Sequence, residues 1–148
     1  MNIRDNKSAL DCIHYEVWML NETYNRYGLI QNTNQIVEKN ILIESFLIHV
    51  RNLVWFLEDR KQENYIRCSD FKINSTVITL PSNNGLNEIN KFVGHLTWDR
   101  VTKDKPIWEL GTIKEKVSTA LQNFIEQLPP ELFPTTNYKR NKQDFFFS

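Results

Sequence analysis

His95, Asn90, Arg100 and Arg51 are the side chains whose types and spacing suit chemistry on a phosphodiester. A histidine titrates near neutrality, so one at position 95 is suited to take a proton from a ribose 2′-hydroxyl or to give one to a leaving 5′-oxygen. Arg51 or Arg100 would hold the phosphate through paired hydrogen bonds, and Asn90 would orient the sugar or the scissile group. His49, Asp70 and Thr97 complete the candidate set as binding residues, with Asp70 expected to hold Arg51 in place. Together these groups suffice for metal-independent RNA cleavage. A plainer expectation stands beside it, because buried charges are paired as a rule. Arg51 with Glu44 or Asp70, and His95 with Asp99 or a backbone carbonyl, would then form a network that only fixes helix register.

Helices must position these residues. Between residues 8 and 60 there is no proline and one glycine, Gly28, which favours long helices. A first helix is expected from near Ser8, a plausible N-cap, to Tyr27, with Gly28 as its stop. Its apolar stripe is Leu10, Ile13, Val17 and Leu20. A second, starting after Asn34 and running to about Arg60, is apolar over more than half its circumference and belongs in the middle of a bundle. Residues 61–83 read as a connector, with a short turn at Tyr65 to Phe71 and an extended loop at Thr76 to Leu80. A third helix is expected from Leu86 to Asp99, burying Leu86, Ile89, Val93 and Leu96 at 3-4-3 spacing. A last one is expected from Pro106 to Leu128, stopped by Pro129 and Pro130. The reading is all-α, a four-helix bundle over residues 1–130 with a C-terminal tail, 131–148. That tail joins Lys139, Arg140 and Lys142 to Phe145, Phe146 and Phe147; it suits docking on the body or on a protein partner, or disorder in isolation.

The bulk properties narrow the partners. Eighteen basic and eighteen acidic side chains cancel in the 148 residues, so a polyanion site must be local rather than a global field. Cys12 and Cys68 show no metal-type spacing and are expected as free thiols. The amino terminus is charged and lacks a secretory apolar run. The longest apolar stretch, Ile41 to Leu57, carries Glu44, His49, Arg51 and Asn52, each unfavourable at a bilayer centre. A cytoplasmic protein with no membrane partner is expected. His14, His49 and His95 with Glu16, Glu44 or Asp70 are the conceivable metal ligands, but no Glu-x-x-His pair is present, and neither metal nor cofactor is expected. Phosphate-loop, G-x-S-x-G, H-E-x-x-H and Cys-x-x-Cys motifs are missing, so NTPase, serine-hydrolase, zinc-protease and zinc-finger classes have no support. Trp18, Trp55, Trp98 and Trp108 could stack bases, though core or dimer contacts are the commoner use.

Three segments carry a resemblance. Phe46 to Leu53, Ser69-Asp70-Phe71, and Ile89 to Thr97 with Arg100 resemble a widespread uncharacterised bacterial group reading F-x-x-H-x-R, D-F and I-N-K-x-x-x-H-L-T, over about residues 40 to 128. More distantly, the helical pattern and the late polar residue plus histidine are similar to the HEPN superfamily. That resemblance implies a helical bundle, often a homodimer, with RNase activity of the kind used in defence or toxin–antitoxin systems. The HEPN motif places an arginine, then four to six intervening residues, then the histidine. Here Asn90, Ile89 and Glu88 stand where that arginine would, so Arg51 or Arg100 would have to supply the cation from elsewhere.

Overall fold

The structure, a computed structural model, describes residues 3–132; the basic and aromatic part of the tail lies outside the described residues. All regular structure among them is helical. Helix α1 spans Ile3–Ile30 and α2 spans Ile36–Leu57. Two single-turn helices follow, α3 (Leu86–Ile89) and α4 (Asp99–Thr102), and then α5 (Leu110–Gln127).

Helices α1, α2 and α5 pack on one another and enclose the core. Leu10 and Leu20 of α1, Phe46, Leu47, Val50 and Leu53 of α2, and Ile113, Leu121 and Ile125 of α5 are fully buried there. The α1 stripe is the one its spacing predicts. Helix α1 nevertheless runs through Gly28, because a glycine stop requires a left-handed backbone and no glycine here has positive φ. The turn comes at Thr33, whose hydroxyl and backbone N–H both donate to the Ile30 carbonyl, at 2.7 and 2.9 Å. Helix α2 ends in a Schellman arrangement: Asp59 takes the left-handed position at φ 55°, and the N–H groups of Arg60 and Asp59 donate to the carbonyls of Trp55 and Phe56 at 3.1 and 3.2 Å.

The connector is extended, as its sequence suggests, and pinned to the end of α2. The Thr76 N–H donates to the Leu57 carbonyl at 2.9 Å and the Ile78 N–H to Glu58 Oε2 at 3.1 Å. A 3₁₀ turn, Cys68–Phe71, falls within the turn expected there. Its Phe71 ring meets Phe56 and Phe124 edge to face, at centroid distances of 6.1 and 5.5 Å, and those two meet each other at 4.9 Å. Each such contact adds about 0.5–1.5 kcal/mol beyond its buried area, tying connector, α2 and α5 together.

The expected third helix is corrected. After one turn of α3 the chain widens into a π turn, Asn90–Gly94, and His95 is extended at φ −135° and ψ 151°. Gly94 is a poor helix former following a β-branched valine, and neighbouring side chains complete the broken end. Thr97 Oγ1 donates to the Lys91 carbonyl at 2.9 Å, and Arg100 Nη2 to the Val93 carbonyl at 3.4 Å. Leu96 is therefore 91% exposed rather than buried, and the apolar ladder ends at the half-buried Val93. The last helix starts at Leu110 instead of Pro106, because buried Asn84 holds the preceding segment extended. Its Nδ2 donates to the Ile107 carbonyl at 2.9 Å and its Oδ1 accepts the Glu109 N–H at 2.7 Å.

Candidate functional site

Arg51, Asn90 and His95 line one cavity of about 420 Å³, between α2, the π turn and the connector. Each arrives by a different route. Arg51 projects from α2 one turn before Trp55, which shares the cavity wall. Asn90 opens the π turn, and His95 stands at its end, where the backbone becomes extended. Single π turns recur at functional sites because the extra residue re-aims the side chains that follow.

The Arg51 guanidinium is held by an amide. Its Nη1 donates to Asn90 Oδ1 at 3.2 Å, and among the described residues no carboxylate pairs with it. Gly94 makes room for this placement: a methyl group on its Cα would lie 3.1 Å from Arg51 Nη1. A half-buried guanidinium with an amide neighbour and no neutralising acid keeps most of its donors and all of its charge for an anion. His95 is exposed on the same cavity and makes no side-chain hydrogen bond that competes for its ring nitrogens among the described residues. Among the described residues no acid lines the cavity.

The other expected site residues lie elsewhere. His49 is buried and faces α1, where its Nδ1 meets Glu16 Oε2; the Tyr15 ring packs edge-on at 5.9 Å. Glu16 Oε1 also accepts from Asn52 Nδ2 at 3.3 Å, so this group staples α1 to α2. Asp70 does not hold Arg51: its Oδ2 accepts the Arg67 N–H at 2.9 Å and closes the 3₁₀ turn. Thr97 and Arg100 cap the π turn, as described, and so shape the element that carries His95. The pairing of His95 with Asp99 considered from sequence is also absent from the described contacts. Asp99 instead takes Lys91 and Lys103, each at 3.3 Å. The hydrogen bond from Lys91, reinforced by Lys103, holds its carboxyl below the ordinary range. Among the described residues, no three His, Cys, Asp or Glu side chains gather as metal ligands.

A larger cavity, about 710 Å³, is lined by Lys91 and Phe92 of the π turn together with residues 103–107. Its lysines 91, 103 and 105 are balanced by Glu88, Asp104 and Glu109, so its size is not matched by a net charge that would gather a polyanion. Sequence reasoning missed Tyr65 and Gln62, which complete the smaller cavity from the connector. They stand in a segment without periodicity, where the Tyr65 ring packs on Trp55 of α2.

No protein family, no curated protein and no solved structure matches the chain.

Proposed function

We propose that the chain binds RNA or a nucleotide in the 420 Å³ cavity and cleaves RNA there without a metal, acting in the cytoplasm as a HEPN-like helical protein. The observation that carries this reading is Arg51, a half-buried cation fixed by the Asn90 amide and left without a carboxylate, beside the unengaged imidazole of His95. Arg51 anchors the phosphate. Asn90 keeps the guanidinium fork in register, while Thr97 and Arg100 act as positioning residues through the turn that presents His95. His95 takes the proton of the ribose 2′-hydroxyl as the 2′-oxygen attacks phosphorus. The bond from phosphorus to the 5′-oxygen breaks, and the proton passes to that oxygen. The products are a 2′,3′-cyclic phosphate and a 5′-hydroxyl, with no atom left over.

The test is cleavage of mixed RNA by the purified protein in EDTA, beside His95→Ala and Arg51→Ala. Cleavage lost in both folded variants supports the assignment; cleavage unchanged in either removes that residue from it.

A second reading, a non-catalytic interaction module, draws on a different observation. Leu29, Ile36, Val37 and Ile41 at the turn joining α1 and α2 are each more than half exposed, a face suited to a second copy of the chain. A protein that neither binds nor cleaves RNA, yet sediments as a dimer that Ile41→Asp dissociates, would favour it.

A further inference from the structure

Beyond Arg51, His95 and Asn90, the cavity wall changes character. The rest of its lining among the described residues is aromatic, amide-bearing and uncharged, with Asn52 and Trp55 from α2 and Gln62 and Tyr65 from the connector. Phosphate recognition uses none of these groups.

We propose that this side of the cavity is a nucleobase subsite, so that the ligand anchored at Arg51 is a unit of unpaired RNA whose base lies on the Tyr65 ring. The proposal rests on the reading of Arg51 as the phosphate anchor and adds what lies next to it. Tyr65 is 48% exposed, yet its ring is backed by Trp55 at a centroid distance of 5.4 Å and an angle of 36°. One aromatic ring thus supports the other and leaves an outer face to solvent, a stacking platform whose ordering cost is already met on folding. Stacking of a base on such a ring contributes about 1–3 kcal/mol and tolerates any base.

Two further features fit a base rather than a bare sugar phosphate. Gln62 brings an amide with both donor and acceptor, as a Watson–Crick edge requires. The size agrees: about 420 Å³ suits one nucleotide unit. A duplex keeps its base faces stacked inside and cannot offer one to Tyr65 without flipping a nucleotide out.

The test is fluorescence anisotropy with three labelled RNA decamers: single-stranded, single-stranded with abasic sites, and duplex. Wild type, Tyr65→Ala, Tyr65→Phe and Arg51→Gln are compared, each checked for folding by circular dichroism. The intact single strand should bind the wild type at least about tenfold more tightly than the abasic strand or the duplex. Tyr65→Ala should erase that preference while leaving abasic affinity unchanged, and Tyr65→Phe should keep it. Equal binding of intact and abasic strands by the wild type, or a preference that survives Tyr65→Ala, overturns the base subsite and leaves the phosphate anchor standing. Binding that Arg51→Gln does not weaken, or no binding of any RNA, refutes the anchor itself.

Discussion

Replacing Asn90 by aspartate separates a binding site from a structural hydrogen bond, because the two roles predict opposite consequences. Asn90 Oδ1 accepts from Arg51 Nη1 at 3.2 Å, so Asn90→Asp places a carboxylate oxygen where an amide oxygen stood, with almost no change in shape. At that separation the gross Coulomb attraction is about 5 kcal/mol for an effective dielectric of about 20. Desolvation and screening of a half-exposed pair remove most of it, leaving a net gain of about 0.5–1 kcal/mol, or a melting temperature raised by about 2–4 °C. The new charge also neutralises Arg51 toward an incoming phosphate. Repulsion and competition together should weaken RNA binding by about tenfold to a hundredfold, equivalent to about 1.4–2.8 kcal/mol. Thermal melting and anisotropy titration at two salt concentrations measure both effects, and the salt slope should fall by about one phosphate contact. An Asn90→Asp protein that is more stable and still binds RNA as tightly as wild type would show that Arg51 has no anion to lose.

Three further outcomes follow from contacts outside the site. Asn84→Ala removes two hydrogen bonds from a buried amide and strands the Ile107 carbonyl and the Glu109 N–H, so stability should fall by about 2–3 kcal/mol in urea titration; a loss below about 0.5 kcal/mol would contradict the clamp. Burial, aided by the neighbouring Asp59 carboxylate, pushes the Cys68 thiol up to about 11 from its ordinary 9.0. At pH 8 only about 0.001 of it is then thiolate, so exposed Cys12 should react with a maleimide at least about a hundredfold faster, and comparable rates would contradict the burial. Because the folded value is raised, this thiol's contribution to stability is present below pH 9 and lost as pH rises toward 11. Asp99 has the opposite sign: its carboxyl is held low, so its contribution is present above the ordinary carboxylate range and lost as pH falls through the folded value. Lys91→Met should return the Asp99 titration toward its ordinary position by NMR, and an unmoved titration would assign the shift elsewhere.

How far the sequence carries can be followed at particular residues. The stripe Leu10, Ile13, Val17 and Leu20 is legible because helical periodicity and burial agree along α1, and the same holds for Ile113 to Leu128. The π turn is not legible in that way. Leu86, Ile89, Val93 and Leu96 keep a helical spacing in sequence, but Gly94 and the capping by Thr97 and Arg100 end the helix before Leu96 can use it. That local override also decides the site, since His95 reaches the Arg51 cavity from an extended backbone rather than from a helix face. Arg51, Asn90 and His95 were recoverable as residue types suited to phosphate chemistry. His49 and Asp70 look equivalent to them in sequence. Their roles depend on which neighbour each meets, Glu16 across the helix pair for one and the Arg67 N–H for the other. Spacing along a single chain does not encode those meetings. Tyr65 was hidden for the complementary reason: it stands in an irregular segment without periodicity, and its place follows from packing on Trp55.

Two cavities compete as the anion site, the one at Arg51 and the larger one at Lys91, Lys103 and Lys105, and among the described residues only the first holds a cation without a neighbouring acid. The most direct test is a titration of isotope-labelled protein with a short single-stranded RNA, followed by NMR at the Arg51 Nε–H, the Trp55 indole N–H and the His95 amide. These three signals should shift together and saturably, while the amides around Lys103 and Lys105 stay in place. Shifts confined to Lys91, Lys103 and Lys105, with Arg51 and Trp55 unmoved, would contradict the assignment to Arg51.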